Sequence, residues 1–208
     1  MRVKILWEWR IFFKKLQPNA VQLSESCIAL LSKSPLETRT DYYYNLTRAK
    51  FGLKERGTSA KNKVRLELKV LHQQKEWGAQ LWSKPIKSDY LELPTEHIGL
   101  PPTQIIEILT SYSSSSIKKD IINEITTIFK ENTPKRMKIE KARLQTELKS
   151  VEIEQTEISI NSQQFFTICI ESSHAQNISK FIRNHIQYNS AEVFPGSYPE
   201  FIITMGSS

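Results

Sequence analysis

Residues 65–69, Arg65-Leu66-Glu67-Leu68-Lys69, alternate charge with leucine over five positions. In a β-strand, residues i and i+2 share a face, so this stretch presents a charged row on one side and an apolar row on the other. The spacing recurs. Lys54-Glu55-Arg56, Lys141-Ala142-Arg143 and Glu152-Ile153-Glu154 each set two charged side chains two residues apart. One such row is a solvated surface. Several rows of mixed sign point to a sheet that curls around a polar interior, and a barrel lined this way suits a highly charged anion with a metal beside it.

The flanking segments continue the pattern. Residues 4–13 carry Lys4, Glu8 and Arg10 on one parity and Ile5, Trp7, Trp9 and Ile11 on the other, which is a strand signature. Arg39 to Leu46 sets Arg39, Asp41 and Tyr43 against Thr40, Tyr42 and Tyr44, and its aromatic content favours a strand. Phe51 to Arg56 and Val64 to Leu71 read as two strands joined by a polar loop over 57–63, a hairpin in its simplest form. Trp77 to Lys87 adds a strand or a short insertion, and residues 71–112 otherwise carry no assignable chemistry. Met137 to Leu148, Val151 to Ile160 and Phe165 to Ile170 are strand candidates of the second half.

Helical spacing is sparser. It predicts a modest helix over Ala20 to Leu31, an amphipathic helix over 116–130 with Ser116 as N-cap, and a helix over Gln176 to Tyr188 built on Ile178, Phe181, Ile182 and Ile186. Pro94 and Pro101-Pro102 punctuate loops, the serines at 113–116 form a short low-complexity patch, and Phe194 to Phe201 reads as a turn feeding a short terminal strand. Runs of strands with few helices predict an α+β fold with a largely antiparallel sheet, open or closed, in one domain spanning 1–208.

Composition narrows the function classes. The chain has 208 residues, a formal charge of +7 and 39% hydrophobic residues, enough for a core. The charge permits nucleic acid, acidic lipid or phosphorylated partners, although a mildly basic surface accounts for it equally well. Cys27 and Cys169 are far apart and outside any CxxC spacing, which argues against a disulfide framework or a cysteine zinc site and for a reducing compartment. The N-terminus lacks a signal-peptide h-region and no stretch has the length of a membrane span, so a soluble, cytoplasmic protein without a membrane partner is expected. His72, His97, His174 and His185 show no ligand spacing, and serine-nucleophile, P-loop and G-x-G-x-x-G motifs are absent. Trp7, Trp9, Trp77 and Trp82 read as packing residues rather than base-stacking platforms, so a nucleic-acid partner is not expected.

Asp41-Tyr42-Tyr43-Tyr44-Asn45 resembles the D-x-Y-Y-D strand of the CYTH-like, or triphosphate tunnel metalloenzyme, superfamily. Gly52-Leu53-Lys54-Glu55-Arg56 sits where that superfamily has LR-x-R, Leu66-Glu67-Leu68-Lys69 resembles its x-L-T-x-K strand, and Ile139-Glu140-Lys141-Ala142-Arg143 is similar to its K-x-R strand. Phe165 to Glu171 matches the late strand that contributes an acidic residue. The pieces keep the superfamily's order over most of the chain. The departure lies at the N-terminal E-x-E-x-K signature, where Leu6-Trp7-Glu8-Trp9-Arg10 has Leu6 for the first glutamate and Arg10 for the lysine, as in a divergent branch.

The resemblance implies an eight-stranded antiparallel β-barrel, a tunnel with a few flanking helices, whose cations grip a triphosphate. Arg10, Lys54, Arg56, Lys69, Lys141 and Arg143 would bind phosphate, since Arg offers a planar two-donor fork and Lys a point charge. Glu8, Glu152, Glu154 and Glu171 are the candidate ligands for Mg²⁺ or Mn²⁺, which prefer carboxylate oxygen. Glu8 and Glu171 are the favoured pair, and Glu152 and Glu154 face either the bore or solvent. The implied activity is metal-dependent hydrolysis of a triphosphate-containing substrate: inorganic tripolyphosphate, thiamine triphosphate or a nucleoside triphosphate. The alternative is a non-catalytic module for polyphosphate or another phosphorylated ligand that has lost part of its metal site, for which Leu6 speaks. A sheet whose charged rows merely face water would hold only surface ion pairs, each worth about 0.2–1 kcal/mol. The oligomeric state is not encoded in these patterns.

Overall fold

The strands meet the constraint of a charged face by closing on themselves. The computed structural model describes residues 4–57, 63–93, 99–112 and 116–206, without the side chains of residues 18 and 116–118. In chain order the elements are β1 (Ile5–Lys14), a 3-10 turn (Pro18–Ala20), β2 (Val21–Leu23), α1 (Glu25–Leu31), β3 (Glu37–Tyr44), β4 (Phe51–Gly57), β5 (Lys63–Gln74), β6 (Gln80–Lys87), β7 (Leu91–Glu92), α2 (Pro102–Ser111), α3 (Ser116–Glu131), β8 (Arg136–Leu148), β9 (Val151–Ile160), β10 (Gln163–Ser172), α4 (Ala175–His185), β11 (Ile186–Tyr188), β12 (Phe194–Pro195) and α5 (Tyr198–Gly206). The sheet runs β10-β9-β8-β3-β4-β5-β6-β1, and β1 pairs back onto β10, giving a closed barrel of eight antiparallel strands. Closure leaves no open edge among them. Short pieces decorate the wall: β12 on β1, β7 on β5, and a separate β2–β11 pair.

Two-residue turns fix the register of the second half. Lys149 and Ser150 join β8 to β9, and Asn161 and Ser162 join β9 to β10, all four with φ between +49° and +65°. Such turns match the twist of the strands they connect. With period two and a fixed register, every inward and outward residue follows.

Alternation divides the packing into three regions. Outward residues of β1, β9 and β10, among them Trp9, Ile11, Ile153, Ile168 and Ile170, pack under α1 and α4 with Leu31, Ile178 and Phe181. Outward residues of β4 and β5, including Leu53, Leu66 and Leu68, pack under α2 and α3 with Ile105, Leu109, Ile125 and Phe129. The third cluster lies inside the barrel. Phe12, Tyr43, Met137, Ile139, Ile158, Ile160 and Phe165 fill one end of the bore around Tyr198, Phe201 and Ile202 of α5. The C-terminal helix therefore plugs the barrel.

The plug corrects the expected terminal strand. Only Phe194–Pro195 are extended, and the helix begins at Tyr198, where Glu200 in its first turn reaches back to Ser197. Glu200 Oε2 accepts hydrogen bonds from the Ser197 backbone N–H (2.6 Å) and hydroxyl (2.8 Å). Pro199, in the first turn, has no N–H to leave unsatisfied. Gly52 lets the helix approach β4, since a Cβ there would lie 3.1 Å from Pro199 Cγ.

Other boundaries also move. The helix expected over Ala20 to Leu31 is α1 alone, because residues 21–23 extend to pair with β11, and Ile28 stays exposed. The helix over Gln176 to Tyr188 ends at His185 for the same reason. Residues 102–111, unassigned from sequence, form α2. The hairpin loop at 58–62, Pro94, the serines at 113–115, His97 and the capping role of Ser116 lie outside the described residues and side chains. On the outer wall, Glu55 is fully buried, accepts from Tyr44 and from two Arg136 nitrogens (3.1 and 2.8 Å), and so faces away from its neighbours Lys54 and Arg56.

Phe201 stacks on Phe12 with centroids 4.1 Å apart and is 3% exposed. Phe201→Ala is expected to cost about 3–5 kcal/mol, the usual range for a buried phenylalanine. Urea unfolding measures this, and a loss below about 1 kcal/mol would show that α5 does not anchor the barrel floor.

Candidate functional site

The unplugged part of the bore is a cavity enclosing about 710 Å³ of empty space, its opening included. Its wall is built by parity. β1 contributes Glu8 and Arg10, β3 Arg39 and Tyr43, β4 Lys54 and Arg56, β5 Glu67 and Lys69, β8 Lys141 and Arg143, β9 Glu152 and Glu154, and β10 Glu171. Ser197, Tyr198 and Pro199 of the plug form the floor. Eight cationic side chains face five carboxylates on this wall, and Asp41 and Glu37, which pair with cations of the same wall, bring the acids to seven.

All ten residues singled out from the sequence line this one cavity. The open question at Glu152 and Glu154 is resolved: both face the bore, while Val151 and Ile153 pack in the outer core. The sequence reading missed Arg39, Lys84, Cys169 and Tyr198. Arg39 shares its parity with Asp41 and Tyr43, so its signal was present. Lys84 was hidden by irregularity. The β5–β6 register shifts between Leu68 and Val70, where Lys84-Pro85 bulge, so alternation fails as a guide there. Tyr198 was hidden by the misread terminal helix. Trp9 and Trp82 are buried, as expected of packing residues, and Trp77 is partly exposed.

The cations are held by interleaved acids. Asp41, fully buried, accepts from Lys54 and Lys141 Nζ at 3.0 Å each and from Arg39 Nε at 3.2 Å. Glu154 takes Arg10 (3.0 Å) and Arg143 (3.1 Å), and Glu37 takes Arg39 (2.5 Å) and a second Arg143 nitrogen. Glu67 binds Arg65 (2.6 Å) with Lys54 and Arg56 at 3.6 and 3.7 Å. Glu8 accepts from Arg10 Nε (3.1 Å) and Lys69 Nζ (2.5 Å), and Lys69 lies 3.8 Å from Glu171.

These pairs shift the titrations. Burial works against the Asp41 carboxylate, but Lys141, Lys54 and Arg39 outweigh it and hold its pKa far below the ordinary range. Glu154 behaves likewise, burial being overcome by Arg10, Arg143 and Lys141. Burial also opposes ionised Glu67, and Lys54, Arg56 and Arg65 bring it down to about 2. Lys141 goes the other way. Burial pushes its pKa well down, and Asp41 recovers only part of the loss against Lys54 and Arg39. Two lining residues also keep a buried donor without a protein partner, Arg143 Nε and Tyr198 Oη. Buried donors are ordinarily satisfied, so these two are suited to an acceptor brought by a ligand.

One cluster has metal-ligand geometry among the described residues. Glu8, Cys169 and Glu171 each offer a donor atom, all within 4.8 Å of one another. Glu8 and Glu171 face each other across β1 and β10. Burial and the neighbouring Glu8 raise the Glu171 pKa despite Lys69, whereas Glu8, also opposed by burial, is held low by Lys69 and Arg10. The two carboxylates and the cysteine sulfur offer a donor set that a divalent ion can use, in competition with Arg10 and Lys69 for Glu8. Glu154 is occupied by its two arginines and stands apart from this cluster.

No family model matches the chain, and no curated protein matches it. Among solved structures, a candidate adenylate cyclase from Bacillus halodurans aligns with 79% of this chain and 84% of its own at 12% identity and a TM-score of 0.47. A conserved hypothetical protein from Pyrococcus furiosus aligns with 93% and 98% at 16% identity and 0.42, and an RNA triphosphatase from S. pombe with 88% and 76% at 9% identity and 0.37. The architecture stands on the strand pairing itself. It is an eight-stranded antiparallel barrel with a charged bore, the tunnel fold that the sequence resemblance implies.

Acid should loosen this bore. The pKa values of Asp41, Glu154 and Glu67 are depressed in the folded state, so their pairs stabilise the fold above the unfolded carboxylate range and lose that contribution as pH falls through the folded values. For Glu67 the window runs from the ordinary 4.5 down to about 2. Unfolding free energy measured by urea at stepped pH should fall by a few kcal/mol across that window. Glu67→Gln should be less stable at neutral pH and flatter in acid, and an unchanged acid slope would remove Glu67 from this account.

Proposed function

We propose that this chain is a metal-dependent hydrolase of a triphosphate-containing substrate. The observation that carries the reading is the convergence of eight cationic side chains on a bore closed at one end, with two buried donors left unsatisfied.

The chain's own residues supply positioning and charge. Arg10, Lys54, Arg56, Lys69, Lys141 and Arg143 hold the phosphate oxygens, and Arg39 and Lys84 extend the same wall. Asp41, Glu67 and Glu154 keep these cations in place before an anion arrives, so little reorganisation remains when charge builds on the transferring phosphoryl group. The Tyr198 ring lies under Lys141 Nζ at 3.8 Å and under the Arg10 guanidinium at 4.7 Å, fixing both at the floor. Glu8 and Glu171 would hold Mg²⁺ or Mn²⁺, which supplies Lewis-acid charge at the phosphate oxygens. The bore reads phosphates and leaves the organic part outside it, so tripolyphosphate, thiamine triphosphate and nucleoside triphosphates all remain candidates. The whole of 1–208 acts as one domain in this reading.

A second reading has a specific observation behind it. Leu6, not a carboxylate, lies beside Glu8, Lys69 and Glu171 at the neighbouring small pocket, which leaves β1 one acid short. A tunnel so altered would bind polyphosphate without cleaving it.

Phosphate release from inorganic tripolyphosphate with Mg²⁺ or Mn²⁺ separates the two. Release is expected, abolished by chelator, and lowered about 10²-fold or more by Arg143→Ala, the scale for losing a charge-stabilising donor. No release, together with a tripolyphosphate-induced rise in Tm that persists in chelator and fades with salt, would overturn hydrolysis in favour of binding.

A further inference from the structure

We propose that Cys169 is a protein ligand of the metal site, and that its sulfur makes the site select manganese-, cobalt- or zinc-class ions over magnesium. The proposal rests on the metal reading above and deepens it.

The register sets the donors. On β10, Cys169 and Glu171 are two residues apart and point into the bore, opposite Arg10 and Glu8 of β1. Cys169 Sγ and carboxylate oxygens of Glu8 and Glu171 form a triangle with no side above 4.8 Å, and one ion at about 2.0–2.3 Å from each donor would draw Glu8 out of its bonds with Arg10 and Lys69. Leu6 cannot coordinate, so β1 provides a single carboxylate. Cys169 makes up the count from the adjacent strand, one pair deeper in the bore than the Glu8–Glu171 pair.

A buried cysteine is ordinarily a small packing residue, and Cys27 shows that case. It sits on α1 in the outer apolar cluster among Leu31, Ile178 and Phe181. Cys169 instead borders the charged bore. Coordination replaces its S–H bond by a sulfur–metal bond and releases the proton to solvent. Magnesium takes oxygen ligands in near-octahedral geometry, whereas thiolate favours softer ions, so the sulfur biases the site away from magnesium.

Cobalt(II) titration of the full chain, without phosphate, reads the ligands directly. A near-ultraviolet sulfur-to-cobalt charge-transfer band is expected alongside the visible d–d bands. Cys169→Ser and Cys169→Ala should both lose the near-ultraviolet band and bind cobalt about tenfold or more weakly, with magnesium affinity unmoved. Cys27→Ser should keep the band. Visible bands without the near-ultraviolet band in the unaltered protein would overturn the proposal while leaving an all-oxygen metal site intact. No cobalt bands, with no loss of the free Mn²⁺ resonance signal on adding protein, would overturn both this proposal and the metal-dependent reading. The spectrum of the unaltered protein decides even if a Cys169 variant fails to fold.

Discussion

Asp41 holds the structure's central constraint. It is fully buried and accepts hydrogen bonds from cations on three strands, Arg39 on β3, Lys54 on β4 and Lys141 on β8. Each of those cations would be costly to bury alone, and removing the shared carboxylate would strand all three. Burial of this kind is weak evidence for stability, because an apolar core of the same volume is often as stable. In the proposed reading the cost is tolerated because a charged interior serves binding.

The barrel reconciles that interior with folding by dividing its bore. One end is an ordinary apolar core in which Phe12, Ile139, Ile158 and Phe165 enclose α5, and the other is the charged cavity. Tyr43 and Tyr198 lie at the boundary, their rings stacked 5.0 Å apart, and Lys141 donates to the Tyr43 hydroxyl at 3.0 Å. Aromatic rings suit this boundary because one face packs on hydrocarbon while the other meets cations. The apolar clusters outside the wall, under α1 with α4 and under α2 with α3, supply most of the remaining burial.

The sequence carried this design unevenly, for physical reasons. Period-two alternation was legible wherever a strand separated charge from apolar residues, as in Lys54 with Arg56 and Lys141 with Arg143, and it brought ten separate residues to one cavity. It was silent on closure, since whether β1 meets β10 depends on twist and register rather than on either strand's pattern. It failed at Lys84, where a bulge breaks the alternation, and at α2, whose short apolar run gave no clear period. At α5 the signal existed, a Ser-x-x-Glu box, but aromatic and proline content suggested extension more strongly. Glu55 shows the opposite hazard. It stands between Lys54 and Arg56 in sequence, yet it belongs to a buried ion pair with Arg136 on the outer wall.

The departures at β1 then make sense together. Arg10 stands where the resembled signature has lysine and stays charged throughout the accessible pH range, so in the proposed reading it would meet an anion as a fixed fork and take no part in proton transfer. Of its three side-chain partners, Glu8 lies on β1 itself, and Thr167 and Glu154 tie it to β10 and to β9 beyond. Among the bore cations Lys141 and Lys84 have lowered pKa values, Lys141 chiefly by burial and Lys84 chiefly by the neighbouring Lys69. An anion entering the bore would favour the protonated form of Lys141, so binding and proton uptake are linked through this buried group. Lys141 places that linkage at the junction of β8, the plug and Asp41.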